Sequence, residues 1–167
     1  MKRKKFQQGM VYFIVLVIVL MVGCTPKVDL YSLKTDVSKG EEVEKVVRAL
    51  DWKDENIEKV TVADKDITVH MEGENPGYSS ESLQTVVHNG ITLLVLVENA
   101  ENIHYEYDTP FFTMDRETTD ELLKNNFQQS IEEFRKSKED FKELQKKLPS
   151  LKPEEGKVYI EHEPTSK

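Results

Sequence analysis

Leu83 to Tyr107 reads LQTVVHNGITLLVLVENAENIHYEY, and a change of period inside it decides the fold class. Leu83, Val86, Val87, Gly90, Leu94 and Val97 recur at three- and four-residue steps, the spacing of one helical face. Ile91 to Val97 alone would pass for a buried strand, but the combined pattern outruns an ordinary strand. The spacing therefore predicts a helix from a Ser79 or Ser80 cap to about Val97, stopped by Asn99-Ala100-Glu101-Asn102. Gly90 costs about 1 kcal/mol inside a helix, which predicts a close approach to a sheet there. From Asn102 the period falls to two: Ile103 and Tyr105 alternate with His104 and Glu106, a half-buried strand, and Tyr107 shares the inward parity.

Upstream, Ile57–Val62 and Ile67–Glu72 are rich in β-branched residues and flank Ala63-Asp64-Lys65-Asp66, which predicts an antiparallel hairpin. Ile67, Val69 and Met71 share its buried face, and Asn75-Pro76-Gly77 turns the chain toward the apolar helix. Ser38-Lys39-Gly40-Glu41 has the capping-box form and predicts a short helix carrying Val43, Val46, Val47 and Leu50 on one face. Thr25 to Asp36 is expected to be partly tether, with a short strand.

Downstream, Tyr107 to Phe112 is expected to be a loop turned by Pro110, with at least one of Phe111 and Phe112 near the surface as a candidate partner patch. The competing reading buries both rings beneath the C-terminal helix. Asp115 caps a helix to about Asn125. Phe127, Ile131, Phe134, Phe141, Leu144 and Leu148 then form a stripe, interrupted by Lys138, that predicts a long C-terminal helix ending at Pro149. Glu132 with Lys136 and Glu143 with Lys147 are spaced as helical ion pairs, and Lys157–His162 is a candidate edge strand. The expected architecture is α+β: a small, largely antiparallel sheet with amphipathic helices packed on one face.

The first 24 residues set the address. Lys2, Arg3, Lys4 and Lys5 precede an apolar run from Met10 to Val22, the order of a secretory leader. That run is too short for the roughly 20 residues that a simple membrane span needs. Met21-Val22-Gly23-Cys24 resembles the bacterial lipobox, with Met21 where Leu is usual. The resemblance implies a diacylglyceryl group on the Cys24 thiol and cleavage before it, and two acyl chains suffice for stable anchoring. The expected organisation is a leader over 1–23, a lipidated cysteine and tether over 24–36, one domain over 37–148 and a C-terminal segment over 149–167.

Beyond the leader the chain carries 19 basic against 31 acidic residues, a balance of −12 that argues against nucleic acid as a partner and against an electrostatic grip on anionic lipid. Cys24 is the single cysteine, so disulfides play no part in the expected stability.

The order of helix, hairpin, Pro-Gly turn, apolar helix and the strand entered through Asn99-Ala100-Glu101-Asn102-Ile103-His104-Tyr105 resembles a bacterial domain of unknown function, numbered 4825. Members of that family look like lipoproteins, chiefly of Gram-positive bacteria, and similar domains are fused to membrane-embedded sensor peptidases. The resemblance covers roughly Leu30 to Leu148 and implies fold and compartment, with no functional residue to carry over.

Chemistry-bearing residues are sparse. His70 and His104 share outward parity with Glu72 and Glu106, an arrangement that reads as a polar sheet face more readily than as a metal site, and no metal or other cofactor is expected. Ser79, Ser80 and Ser82 lack the Gly-x-Ser-x-Gly elbow of a nucleophile and read as helix caps. The reading that follows is a lipid-anchored extracytoplasmic module that binds or senses an envelope protein and is not an enzyme. An enzyme or accessory acting on envelope polymers, and a metal- or small-ligand-binding lipoprotein, are the alternatives.

Overall fold

A computed structural model describes residues 28–53, 55–73, 81–107, 111–151 and 160–162. The leader with Cys24, the Asn75-Pro76-Gly77 turn, the Ser79 and Ser80 caps and Asp108 to Pro110 lie outside the described residues. The strands are β1 (Thr35–Asp36), β2 (Ile57–Ala63), β3 (Asp66–Met71), β4 (Val97–Glu98), β5 (Asn102–Glu106), β6 (Phe111–Asp115) and β7 (Ile160–His162). The helices are α1 (Gly40–Ala49), α2 (Glu81–Leu96), α3 (Arg116–Phe127), α4 (Ile131–Lys136) and α5 (Lys138–Lys147), with 3-10 turns at Leu30–Leu33 and Leu148–Ser150.

The hairpin forms as its sequence implies, with β2 antiparallel to β3 and Ala63 opposite Asp66 across a two-residue loop in which Asp64 takes a positive φ of 54°. The chain then crosses over through α2 and returns as β5, parallel to β3, because a long connection through a helix delivers a strand in the same direction. β6 and the edge strand β7 add antiparallel, giving the order β2-β3-β5-β6-β7. The fold is thus α+β with a mostly antiparallel sheet, and one parallel pair lies at its centre.

Ile67, Val69, Ile103, Tyr105, Phe112 and Met114 all point to the buried face and are almost fully enclosed. Against them lies α2, whose Leu93, Leu94, Val95 and Leu96 are all completely buried. A helix that is apolar all round must be covered all round, and α1 and α4 close its outer side. This double cover explains why Ile91–Val97 looks like a strand in one dimension. Gly90 is the point of closest approach: a Cβ there would run into the Met114 sulfur and lie 3.0 Å from the Tyr105 hydroxyl oxygen.

Three expectations are corrected. Ser38 does not cap α1: its N–H and hydroxyl both donate to Asp36 Oδ1, at 2.9 and 2.5 Å, so the helix starts two residues later behind Lys39 with no side-chain cap. Tyr107 to Phe112 is not loop throughout, since the chain re-enters the sheet at Phe111, with Phe112 opposite Tyr105 and Met114 opposite Ile103. The stripe expected to be one long C-terminal helix is two, α4 and α5, behind the separate helix α3 that Asp115 was expected to cap. Gln128 ends α3 in the left-handed region, Ser130 and Glu133 form a capping box for α4, and Ser137, extended at φ −138°, caps α5 by accepting from Asp140 N–H. The stripe survives these breaks because Phe134, Phe141, Leu144 and Leu148 still reach the same core.

Asp115 caps α3 as expected, accepting from Thr118 N–H at 2.7 Å. Glu143 pairs with Lys147 at 2.7 Å, whereas Glu132 reaches across to Arg116 at 2.5 Å instead of to Lys136. Among the described residues no helix is long and apolar enough to cross a membrane.

Candidate functional site

Two surfaces of the described fold gather polar side chains. The first is the open face of the sheet. β3 and β5 run in parallel with His70 opposite Glu106, so the parity that buries Val69 and Tyr105 turns this pair outward. His70 Nδ1 lies 2.7 Å from Glu106 Oε2, and its Nε2 lies 3.2 Å from the Thr61 hydroxyl on β2. One row along, His104 Nδ1 lies 2.9 Å from the Thr113 hydroxyl, and its Nε2 3.4 Å from Asp66 Oδ2. Asp66 also accepts from the Asn102 amide at 2.8 Å.

Each row is a hydroxyl–imidazole–carboxylate chain, the order in which an imidazole takes a hydroxyl proton while a carboxylate orients it. β3 and β5 are interior strands whose N–H groups are committed to the ladder, and a flat sheet supplies no paired donors for a developing oxyanion. What this face can do chemically is exchange hydrogen bonds with another polar surface. Among the described residues, no three His, Cys, Asp or Glu side chains converge as a metal site.

The second surface is a cleft of about 620 Å³ at the foot of β5 and β6, lined by Asn102, Asp115, Arg116, Asp120, Lys124 and Glu132 among others. Its charged groups have internal work. Arg116 donates to the carbonyls of Leu94 and Ala100 at 3.0 and 3.2 Å and pairs with Glu132, which ties α3, α4 and the end of α2 together. Asp120 accepts from Ile131 N–H at 2.7 Å and pairs with Lys124, whose ammonium it holds above the ordinary lysine value. The cleft is the seam where three elements are joined, with its cations already spoken for.

Of the site residues that the sequence singles out, Cys24 lies outside the described residues, as does the Phe111 side chain. The Phe111 backbone stands in register opposite Glu106. Phe112 is core, 2 % exposed, with its ring edge-on to Tyr107 at 6.4 Å. Phe112 therefore belongs to the core and not to an exposed patch. Sequence reasoning missed Arg135, which is 5 % exposed and bound to Glu98 at 2.9 Å. The signal was faint: Arg135 directly follows Phe134 on the buried side of the stripe.

No family model, no curated protein and no solved structure matches the chain.

Proposed function

We propose that the chain is a lipid-anchored extracytoplasmic lipoprotein whose α+β domain is a non-catalytic interaction or sensory module at the cell envelope. The observation that carries the reading is the register of Lys2–Lys5, the apolar run from Met10 and Met21-Val22-Gly23-Cys24. The described core is assembled from Val37 onward, with Leu30, Tyr31 and Leu33 packed against it. The non-catalytic part is supported by the composition of the two polar surfaces: one is a flat ladder of paired side chains, the other a seam of structural ion pairs. The element order that resembles the domain of unknown function 4825 recurs as α1, the β2–β3 hairpin, α2 and β5.

Metabolic labelling with a clickable fatty acid tests the anchor. Wild type is expected to take label and Cys24→Ser to take none and to keep its leader, since a hydroxyl is a far weaker nucleophile than a thiolate at neutral pH. Label retained on the serine variant overturns the lipidation.

A further inference from the structure

The segment just after the proposed anchor is strapped to the helical side of the domain. Asp29 pairs with Lys138 at 2.6 Å, and this ammonium pulls the Asp29 carboxyl below its ordinary range. The Tyr31 hydroxyl and the Lys34 ammonium both donate to the Arg135 carbonyl, at 3.0 and 3.2 Å, and the Tyr31 ring packs on Phe141 at 5.8 Å. Arg135 in turn holds Glu98, next to the β1–β4 pair. These partners belong to α4, α5 and β4, on the far side of the core from the open sheet face.

Asp29 is five residues from Cys24, and five residues span at most about 18 Å however they run. The headgroup layer alone is about 5–7 Å deep. Val28, 54 % exposed and the large hydrophobic left uncovered among the described residues, lies on this path. Lys34, Lys138 and Lys142 stand exposed beside it, the last two close enough to act on the Asp29 carboxyl. Asp29, Glu139 and Asp140 dilute their charge, so the anchor supplies the adhesion and the lysines bias which side faces the lipid.

We infer that the α4–α5 face around Asp29 and Lys142 docks on the phospholipid headgroup surface, and that the strap fixes this orientation so that the open sheet face points away from the membrane. This rests on the lipid anchor proposed above. It assigns the polar ladder of Thr61, His70, His104 and Glu106 as the surface presented to the envelope.

Single-cysteine variants give a clean test because a lipidated Cys24 leaves no other thiol. Lys142→Cys, on the docked face, and Lys59→Cys, in register with His70 on the open face, are made in the full-length protein and labelled with a fluorophore. The protein is reconstituted in phosphatidylethanolamine–phosphatidylglycerol vesicles carrying a headgroup-attached nitroxide quencher. The probe at position 142 is expected to be quenched severalfold more than the probe at 59. Combining Asp29→Ala and Tyr31→Phe, both at solvent-reachable strap contacts, is expected to bring the two values together. Protein that floats with the vesicles but quenches equally at both positions, or more at 59, overturns the docking while leaving the anchor intact. Contrast that survives the strap substitutions overturns the role of the strap. Protein that neither floats nor carries acyl mass on Cys24 overturns the anchor, and the docking with it.

Discussion

On the inner face of the sheet, the Tyr105 and Tyr107 hydroxyls are buried with no hydrogen-bond partner among the described residues, whereas on the open face Thr61, His70, His104, Thr113, Asp66 and Glu106 are linked in chains. One sheet thus satisfies volume on one side and hydrogen bonding on the other. Burial pushes both tyrosine hydroxyls up in pKa, Tyr105 well above the ordinary value, so they stay protonated and uncharged where they sit. An unpaired buried hydroxyl costs about 1–3 kcal/mol, an amount that burying a large aromatic ring can offset. The inner face is therefore governed by shape. The open face keeps these groups partly in water, apart from the buried Thr113, and governs them by pairing.

The sharpest way to break this contrast is Phe112→Ala. The ring is 2 % exposed, opposite Tyr105 and edge-on to Tyr107, so truncation leaves a void that the fully buried neighbours fill poorly. A loss of about 3–5 kcal/mol is expected in chemical denaturation. A loss under about 1 kcal/mol would mean that the inner face tolerates voids, and the shape argument fails.

A smaller effect of opposite sign is expected from Tyr105→Phe. The hydroxyl has no partner among the described residues and sits 3.0 Å from the position a Cβ would take at Gly90, so its removal sheds a desolvation cost without opening a cavity larger than one oxygen. A gain of about 1 kcal/mol is expected, read as a raised denaturation midpoint. Destabilisation of that size would instead reveal that the hydroxyl is bonded in solution.

How much of this was legible in the sequence follows from which signals are local. The hairpin, the alternation of β5, the Asp115 cap and the close approach at Gly90 all rest on residues within a few positions of one another, and each stands in the structure. β6 was obscured because its inward pair, Phe112 and Met114, is a short alternation beside a second phenylalanine and just after a proline. The parallel pairing of β3 with β5 is long-range and leaves no mark in either strand. Ser38 lost its cap to Asp36, two residues away, a competition that the capping-box pattern does not encode. The breaks at Ser130 and Ser137 carried their own S-x-x-E and S-x-x-D signatures, but the apolar stripe ran through both and outweighed them. On the candidate surfaces, the outward parity of His70, His104 and Glu106 was readable from alternation. Thr61, Thr113 and Asp66 were not, because their link to the histidines depends on which strands become neighbours.

The smallest expected effect lies on the open face. His70 and Glu106 are 2.7 Å apart, but their side chains remain 26 % and 52 % exposed, so water and salt screen the interaction. A cross-strand pair of this kind contributes about 0.2–1 kcal/mol. The single variants His70→Ala and Glu106→Ala with their double variant should give a coupling energy within that range, and one that shrinks as salt rises from low to near-molar concentration, where the Debye length falls to about 3 Å. Such a result keeps the face wet and free for a partner. A coupling of several kcal/mol that ignores salt would require the pair to be dry, which a half-exposed sheet face can become only if another surface covers it in solution. That outcome would erase the difference between the two faces and place an occupant on the side that the docking proposed above leaves open.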